Sequence, residues 1–143
     1  MDVLSMRTIF RCRDLAAARA FWEGTLGLTV AREYGAGGVV TGVVLFAGGG
    51  FVELTAAGPG EPGGAPTGAG PTADGPGSAA VWLQVADVAD EEARLVLAGV
   101  PIDRPAERMP WGLVECWLRD PDGVRIVLVE TPPDHPLRRR LDG

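Results

Sequence analysis

Arg11-Cys12-Arg13-Asp14-Leu15, running through Phe21-Trp22 to Leu26-Gly27-Leu28-Thr29-Val30, has a second copy further along the chain. That copy is Gln84-Val85-Ala86-Asp87-Val88, running through Leu95 to Ala98-Gly99-Val100-Pro101-Ile102. Each copy reads as a strand, an aspartate-capped helix, a glycine stop and another strand. Aspartate at the cap accepts an N–H that the first helical turn leaves unbonded. Glycine after the last turn takes the left-handed conformation that ends a helix. Two copies of one supersecondary unit decide the fold class. It is α+β: two βαβββ modules forming curved mixed sheets around a cavity, with helices on the outer face.

Working outward, Met6–Cys12 alternates as a strand, with Thr8, Phe10 and Cys12 on one face and Arg7, Ile9 and Arg11 on the other. A helix is expected from Leu15 to about Thr25, its apolar stripe made by Leu15, Ala18, Phe21 and Trp22. Strands follow at Thr29–Glu33, Val39–Ala47 and Phe51–Ala56, with glycine turns at Gly35–Gly38 and Gly48–Gly50. In the second half, a strand at Ala80–Val85 leads to a helix over about Val88–Ala98. Strands are then expected near Val100–Asp103, Leu113–Leu118 and Val124–Glu130, the last two joined by the hairpin signal Asp120-Pro121-Asp122-Gly123.

The chain of 143 residues therefore reads as one domain, with modules at 5–57 and 79–131. Residues 58–78 are nearly all Gly, Pro, Ala and Thr and read as a flexible linker, because they bury too little apolar surface to order themselves. Residues 132–143 form a tail. Its Arg138-Arg139-Arg140 run reads as a solvated end. A net charge of −6 argues against general nucleic-acid binding, which needs a basic face. No apolar run is long enough for a bilayer, and the N-terminus lacks a signal-peptide pattern, so a cytoplasmic, membrane-free protein is expected. Cys12 and Cys116 form no CxxC and fall on core-facing positions, which suits inert buried thiols.

Cys12-Arg13-Asp14-Leu15, Phe21-Trp22 with Leu26-Gly27-Leu28, Phe51-Val52-Glu53-Leu54, and Pro110-Trp111-Gly112 leading to Asp120-Pro121-Asp122-Gly123 together resemble the vicinal oxygen chelate superfamily. That family includes glyoxalase I, extradiol dioxygenases, fosfomycin-modifying enzymes and bleomycin-resistance proteins. The resemblance runs from Met6 to Thr131 and is specific for the fold, not for an activity. In metal-dependent members, four side chains on the first and last strands of the two halves hold a divalent ion. Carried over, those positions fall on Arg7, Glu53, Ala80 and Val127. Arg7 is a permanent cation, Ala80 and Val127 have no donor atom, and the only histidine, His135, lies in the tail. One carboxylate does not make a site that wants three or four ligands, so no metal and no other cofactor is expected.

The residues expected to share the face of those lost ligands are Arg7, Ile9 and Arg11, then Phe51 and Glu53, then Trp82 and Gln84, then Glu115 and Trp117, then Arg125 and Val127, with Trp111 at the rim. These are the candidate ligand-binding residues; no catalytic residue is assigned. Indoles offer stacking area and a face for cations, which suits capture of a large planar or cationic molecule. The resemblance implies that metal-free members sequester drugs such as bleomycin and mitomycin, as dimers with aromatic-lined clefts. A homodimer that sequesters an aromatic natural product is thus the leading expectation. Three alternatives stay open. One is a metal-independent biosynthetic enzyme with Glu53 or Glu115 as acid/base beside Arg7 or Arg11. Another is a metal enzyme of glyoxalase or dioxygenase type. The last is a partner protein docking through residues 58–78. Trp22 reads as structural, Trp82 and Trp117 as either ligand contacts or filling, and Glu53 beside Arg7 as either an ion pair or a recognition group.

Overall fold

A computed structural model describes residues 1–57 and 78–136. The expected linker, apart from Ser78, and the Arg138–Arg140 run lie outside the described residues. The chain divides into two compact units. The first comprises residues 1–78 together with Asp120–Asp122; the second comprises residues 79–119 and 123–143.

In the first unit, β1 (Arg7–Cys12), β2 (Val30–Ala36), β3 (Val39–Ala47) and β4 (Gly50–Ala56) form a sheet in the order β1-β4-β3-β2. In the second, β5 (Ala80–Val85), β6 (Ile102–Arg108), β7 (Val114–Arg119) and β8 (Arg125–Glu130) form a sheet in the order β5-β8-β7-β6. The first and last strands of each unit run parallel and the other neighbours antiparallel. The two repeats thus fold alike, as the α+β reading expects.

Each helix is capped by the predicted aspartate. Asp14 Oδ1 accepts from Ala17 N at 3.0 Å, opening α1 (Leu15–Arg19), and Asp87 Oδ1 accepts from Asp90 N at 2.9 Å, opening α2 (Val88–Leu97). Glu130 on β8 accepts from Val88 N at 3.2 Å, tying α2 to its own sheet. Gly27 and Gly99, both at φ +80°, take the left-handed conformation beyond the two helices. The first helix departs from expectation. After Arg19 it widens into a π-helical turn over Ala20–Thr25. The spacing of the repeat gives the reason: Gly27 follows Asp14 by thirteen residues, whereas Gly99 follows Asp87 by twelve. A π turn accommodates one residue more than the α turn it replaces.

Sequence alternation assigns the sheet faces correctly. In the first unit Cys12, Val43, Leu45, Val52 and Leu54 are buried with Ala18, Phe21 and Trp22 of the helix. Trp22 stacks on Phe10 at 5.7 Å between centroids, and its indole Nε1 donates to Asp120 at 3.1 Å. In the second unit Cys116, Leu118, Ile126 and Leu128 are buried with Val88 and Leu95 of α2. Burial raises both thiols to about 11, so neither is a reactive thiolate near neutral pH.

Two strands run well past the ends the sequence suggests, and both lie at sheet edges. β2 was expected to stop at Glu33 but continues to Ala36, where Ala36 pairs with Val39. Gly37 and Gly38, at φ +60° and +78°, make the two-residue hairpin turn that suits twisted strands. β6 was expected over Val100–Asp103 but runs from Ile102 to Arg108, through Pro105. An edge strand tolerates a residue without an N–H, and the pairing with β7 skips Pro105 through register shifts. No helix among the described residues is long and apolar enough to cross a membrane.

Candidate functional site

The open face of each sheet, opposite its helix, carries the candidate residues. The register lines them up in rows. In the first unit one row runs Ile9, Glu53, Val44, Arg32 across β1, β4, β3 and β2. The equivalent row in the second unit runs Trp82, Val127, Trp117, Arg104 across β5, β8, β7 and β6.

On the first face Glu53 is the centre. Its Oε2 accepts from Arg7 Nη1 at 2.6 Å and its Oε1 accepts from the Tyr34 hydroxyl at 2.5 Å. The Tyr34 bond first, and Arg7 second, hold the Glu53 carboxyl below the usual carboxylate range. Donation to Glu53 in turn raises the Tyr34 phenol. Both carboxylate oxygens are committed and the group stays ionised, which makes it a poor proton acceptor. Arg7, Arg32, Tyr34, Val44 and Glu53 line an open pocket of about 330 Å³. Arg7 also lies 5.7 Å from the Phe51 ring, and Phe51 packs on Phe46 at 5.4 Å. Ile9 and Arg11 are exposed on this face.

Tyr34 and Arg32 were not among the sequence candidates. Tyr34 was missed because β2 was ended one residue before it. Its ring lies across β3 at Gly42; a Cβ there would fall 2.1 Å from Tyr34 Cζ. Gly42, set between Val40-Thr41 and Val43-Val44, is the signal that could have revealed it, since a glycine inside a strand often marks close approach of another group.

On the second face Glu115 is the centre, buried to 6 % exposure. Its two oxygens accept from two indoles, Oε1 from Trp111 Nε1 and Oε2 from Trp117 Nε1, each at 2.9 Å. Trp117 is also covered by cations: Arg104 Cζ lies 4.3 Å and Arg125 Cζ 4.7 Å from its ring centroid. Those arginines come from the strands on either side of β7. Trp82 and Trp111 keep 48 % and 56 % of their surface exposed. Val127 sits between Trp82 and Trp117 in the row, and Gln84 is half-buried on the same strand as Trp82. Arg104 was missed for the same reason as Tyr34: β6 was ended one residue short of it.

The two units thus gather separate groups: Arg7, Ile9, Arg11, Phe51 and Glu53 in the first, and Trp82, Gln84, Trp111, Glu115, Trp117, Arg125 and Val127 in the second. The four positions that the resemblance equates with metal ligands do not fit a metal ion. Glu53 is their only donor, and it is engaged by a guanidinium and a phenol. Among the described residues no group of three His, Cys, Asp or Glu side chains could hold one.

The model of the Glyoxalase/Bleomycin resistance protein/Dioxygenase superfamily matches residues 6–128, and the chain belongs to that superfamily. Several solved structures share the fold. TioX from Micromonospora sp. ML1 is 23 % identical, with 89 % of this chain and 95 % of that one covered at a TM-score of 0.66. A superfamily member from Sphaerobacter thermophilus is 24 % identical, with 92 % and 99 % covered at 0.67. A lactoylglutathione lyase from Agrobacterium tumefaciens is 20 % identical, with 91 % and 95 % covered at 0.63. No curated protein matches the chain.

Proposed function

We propose that this chain is a metal-independent binding protein that sequesters an aromatic natural product or antibiotic, in the manner of a self-resistance protein, and that it works as a homodimer. The observation that carries this reading is the state of the indoles on the second unit's open face. Trp82 and Trp111 are about half exposed, and Glu115 fixes Trp111 by its N–H group, which leaves the Trp111 ring to make contacts. Large apolar rings left partly in water and held in orientation are what a recognition surface for planar molecules requires. In the row, Trp82 and Trp117 stand two strands apart, so about 10 Å separates their backbones above Val127. A ring stacked on the exposed face of Trp82 would thus have the guanidinium-covered Trp117 as its neighbour. An enzyme reading through Glu53 as base is disfavoured by the bonds that hold that carboxylate ionised and engaged.

The test is equilibrium titration with bleomycin-type and quinoxaline- or quinoline-bearing compounds, read by tryptophan fluorescence. Quenching that saturates, and that Trp82→Ala weakens about tenfold or more, is the expected result. Absence of quenching by every aromatic compound would remove the reading. Sedimentation of the ligand-free protein checks the dimer.

A further inference from the structure

The indole-lined face carries charges of both signs, Arg104 and Arg125 with Glu107 and Glu115. Trp117, the tryptophan at its middle, carries a guanidinium from each neighbouring strand, Arg104 at 4.3 Å and Arg125 at 4.7 Å. Stacking uses the flat face of a guanidinium and leaves its in-plane N–H donors for another partner. For Arg104 no strong partner is found among the described residues. Its one hydrogen bond is the weak contact of Nη1 with the Met109 sulfur at 3.7 Å, and among the described residues no carboxylate lies within ion-pair distance of it. Glu115 lies on the same face but makes no ion pair with Arg104, because both of its oxygens are turned to indole N–H groups.

The repeat carries the feature twice. Arg32 occupies in the first unit the row position that Arg104 occupies in the second, opposite Val44 where Arg104 is opposite Trp117. Arg32 likewise has no carboxylate within ion-pair distance among the described residues, and it lines the 330 Å³ pocket. In both repeats, then, this position holds an arginine with no ion pair among the described residues, although Arg32 lies near enough to Glu53 to help hold it ionised.

We infer that the aromatic ligand of the second unit's face is an anion, its rings on the indoles and its acidic group on Arg104. This rests on the binding reading above and narrows it: a cationic aromatic is excluded as the favoured ligand class, because the ring it would seek already bears two guanidinium groups. A carboxylate matches the forked donors of a guanidinium, and a charge-assisted pair outweighs a neutral hydrogen bond.

Calorimetric titration of the wild-type protein with three probes of similar shape tests this: naphthalene-2-carboxylate, naphthalene-2-carboxamide and N-methylquinolinium. The carboxylate is expected to bind about tenfold more tightly than the amide, with the cation weakest. Arg104→Gln is expected to lower the carboxylate-to-amide affinity ratio from about ten to about one. Arg104→Lys, which keeps the charge, should retain part of the preference. If carboxylate and amide bind equally, or the cation binds best, the inference falls while the binding reading stands. If none of the three binds, and the aromatic compounds of the fluorescence titration fail too, both fall.

Discussion

The open faces of the two units share one backbone and differ in how they hold a carboxylate. In the first, Glu53 sits on the strand next to β1 and is gripped by a guanidinium and a phenol. In the second, the equivalent position is Val127, and the carboxylate has moved to Glu115, one strand over, where two indoles grip it. Glu115 occupies the position that Gly42 holds in the first repeat, where the missing side chain makes room for Tyr34. One repeat therefore uses a void to admit a phenol to a charge, and the other fills the same place with the charge itself. The first face becomes a small polar pocket, the second an aromatic surface. Duplication supplied two equal scaffolds, and a few side chains turned them to different chemistry.

The contrast extends to the helix side, where the largest effect is expected. Trp22 and Leu95 are equivalent, each eight residues after its capping aspartate and fully buried. Replacing Trp22 with the leucine of the second repeat removes the stacking on Phe10 and the indole bond to the buried Asp120. A loss of about 3 kcal/mol in chemical denaturation is expected. A loss below about 1 kcal/mol would mean that the halves tolerate each other's cores. Gly42→Ala comes next, since its Cβ would occupy the Tyr34 ring. About 2 kcal/mol should be lost, and the phenol's ultraviolet titration should fall back toward an ordinary tyrosine. Tyr34→Phe separates these, because it removes the bond without the clash.

Glu115→Gln has a smaller effect, about 1–2 kcal/mol, because an amide has one oxygen where two indole donors need acceptors. The displaced indole should be visible as a shift in tryptophan emission without ligand. Smallest is Glu53→Gln, and here pH separates the faces. Glu53 is held below its usual range, so its contribution is full above that range and is lost as pH falls through the lowered value. Tyr34 is raised, so its contribution is full below the ordinary phenol range and is lost as pH rises through the raised value. Wild-type stability should therefore decline at both limbs, each by about 1 kcal/mol or less for a partly exposed pair. Glu53→Gln should flatten both. Persistence of both limbs in the variant would place their origin elsewhere.

The architecture was legible because it rests on period-two alternation and on caps that occur twice: Asp14 and Asp87, Gly27 and Gly99 stand where their roles require. The sites were half legible. Face assignment from alternation put Arg7, Glu53, Trp82, Glu115 and Trp117 on the open faces, because side-chain direction follows directly from strand phase. Tyr34 and Arg104 lie just beyond the expected ends of the two edge strands, while Arg32 lies within its expected strand but was not counted on the open face. Glycine and proline ordinarily end a strand, but at an edge a bulge lets Gly35 pass and skipped pairing lets Pro105 pass. Side-chain partnership was also beyond reach. That Glu115 would turn toward indole nitrogens instead of the nearby arginines depends on rotamers that the sequence does not state.

The π turn of the first helix has a consequence for how such a protein changes length. Adding a residue to a regular helix rotates everything beyond it by about 100°, which would swing the apolar stripe off the sheet. Here the surplus residue is confined after Trp22, within Ala20–Thr25, and the chain resumes at Gly27 as it does at Gly99. The segment acts as an expansion joint. It lets one half of a duplicated fold outgrow the other without disturbing the sheet beneath it, and it marks Glu23–Leu26 as the stretch where a single-residue deletion would return the helix to the geometry of its twin.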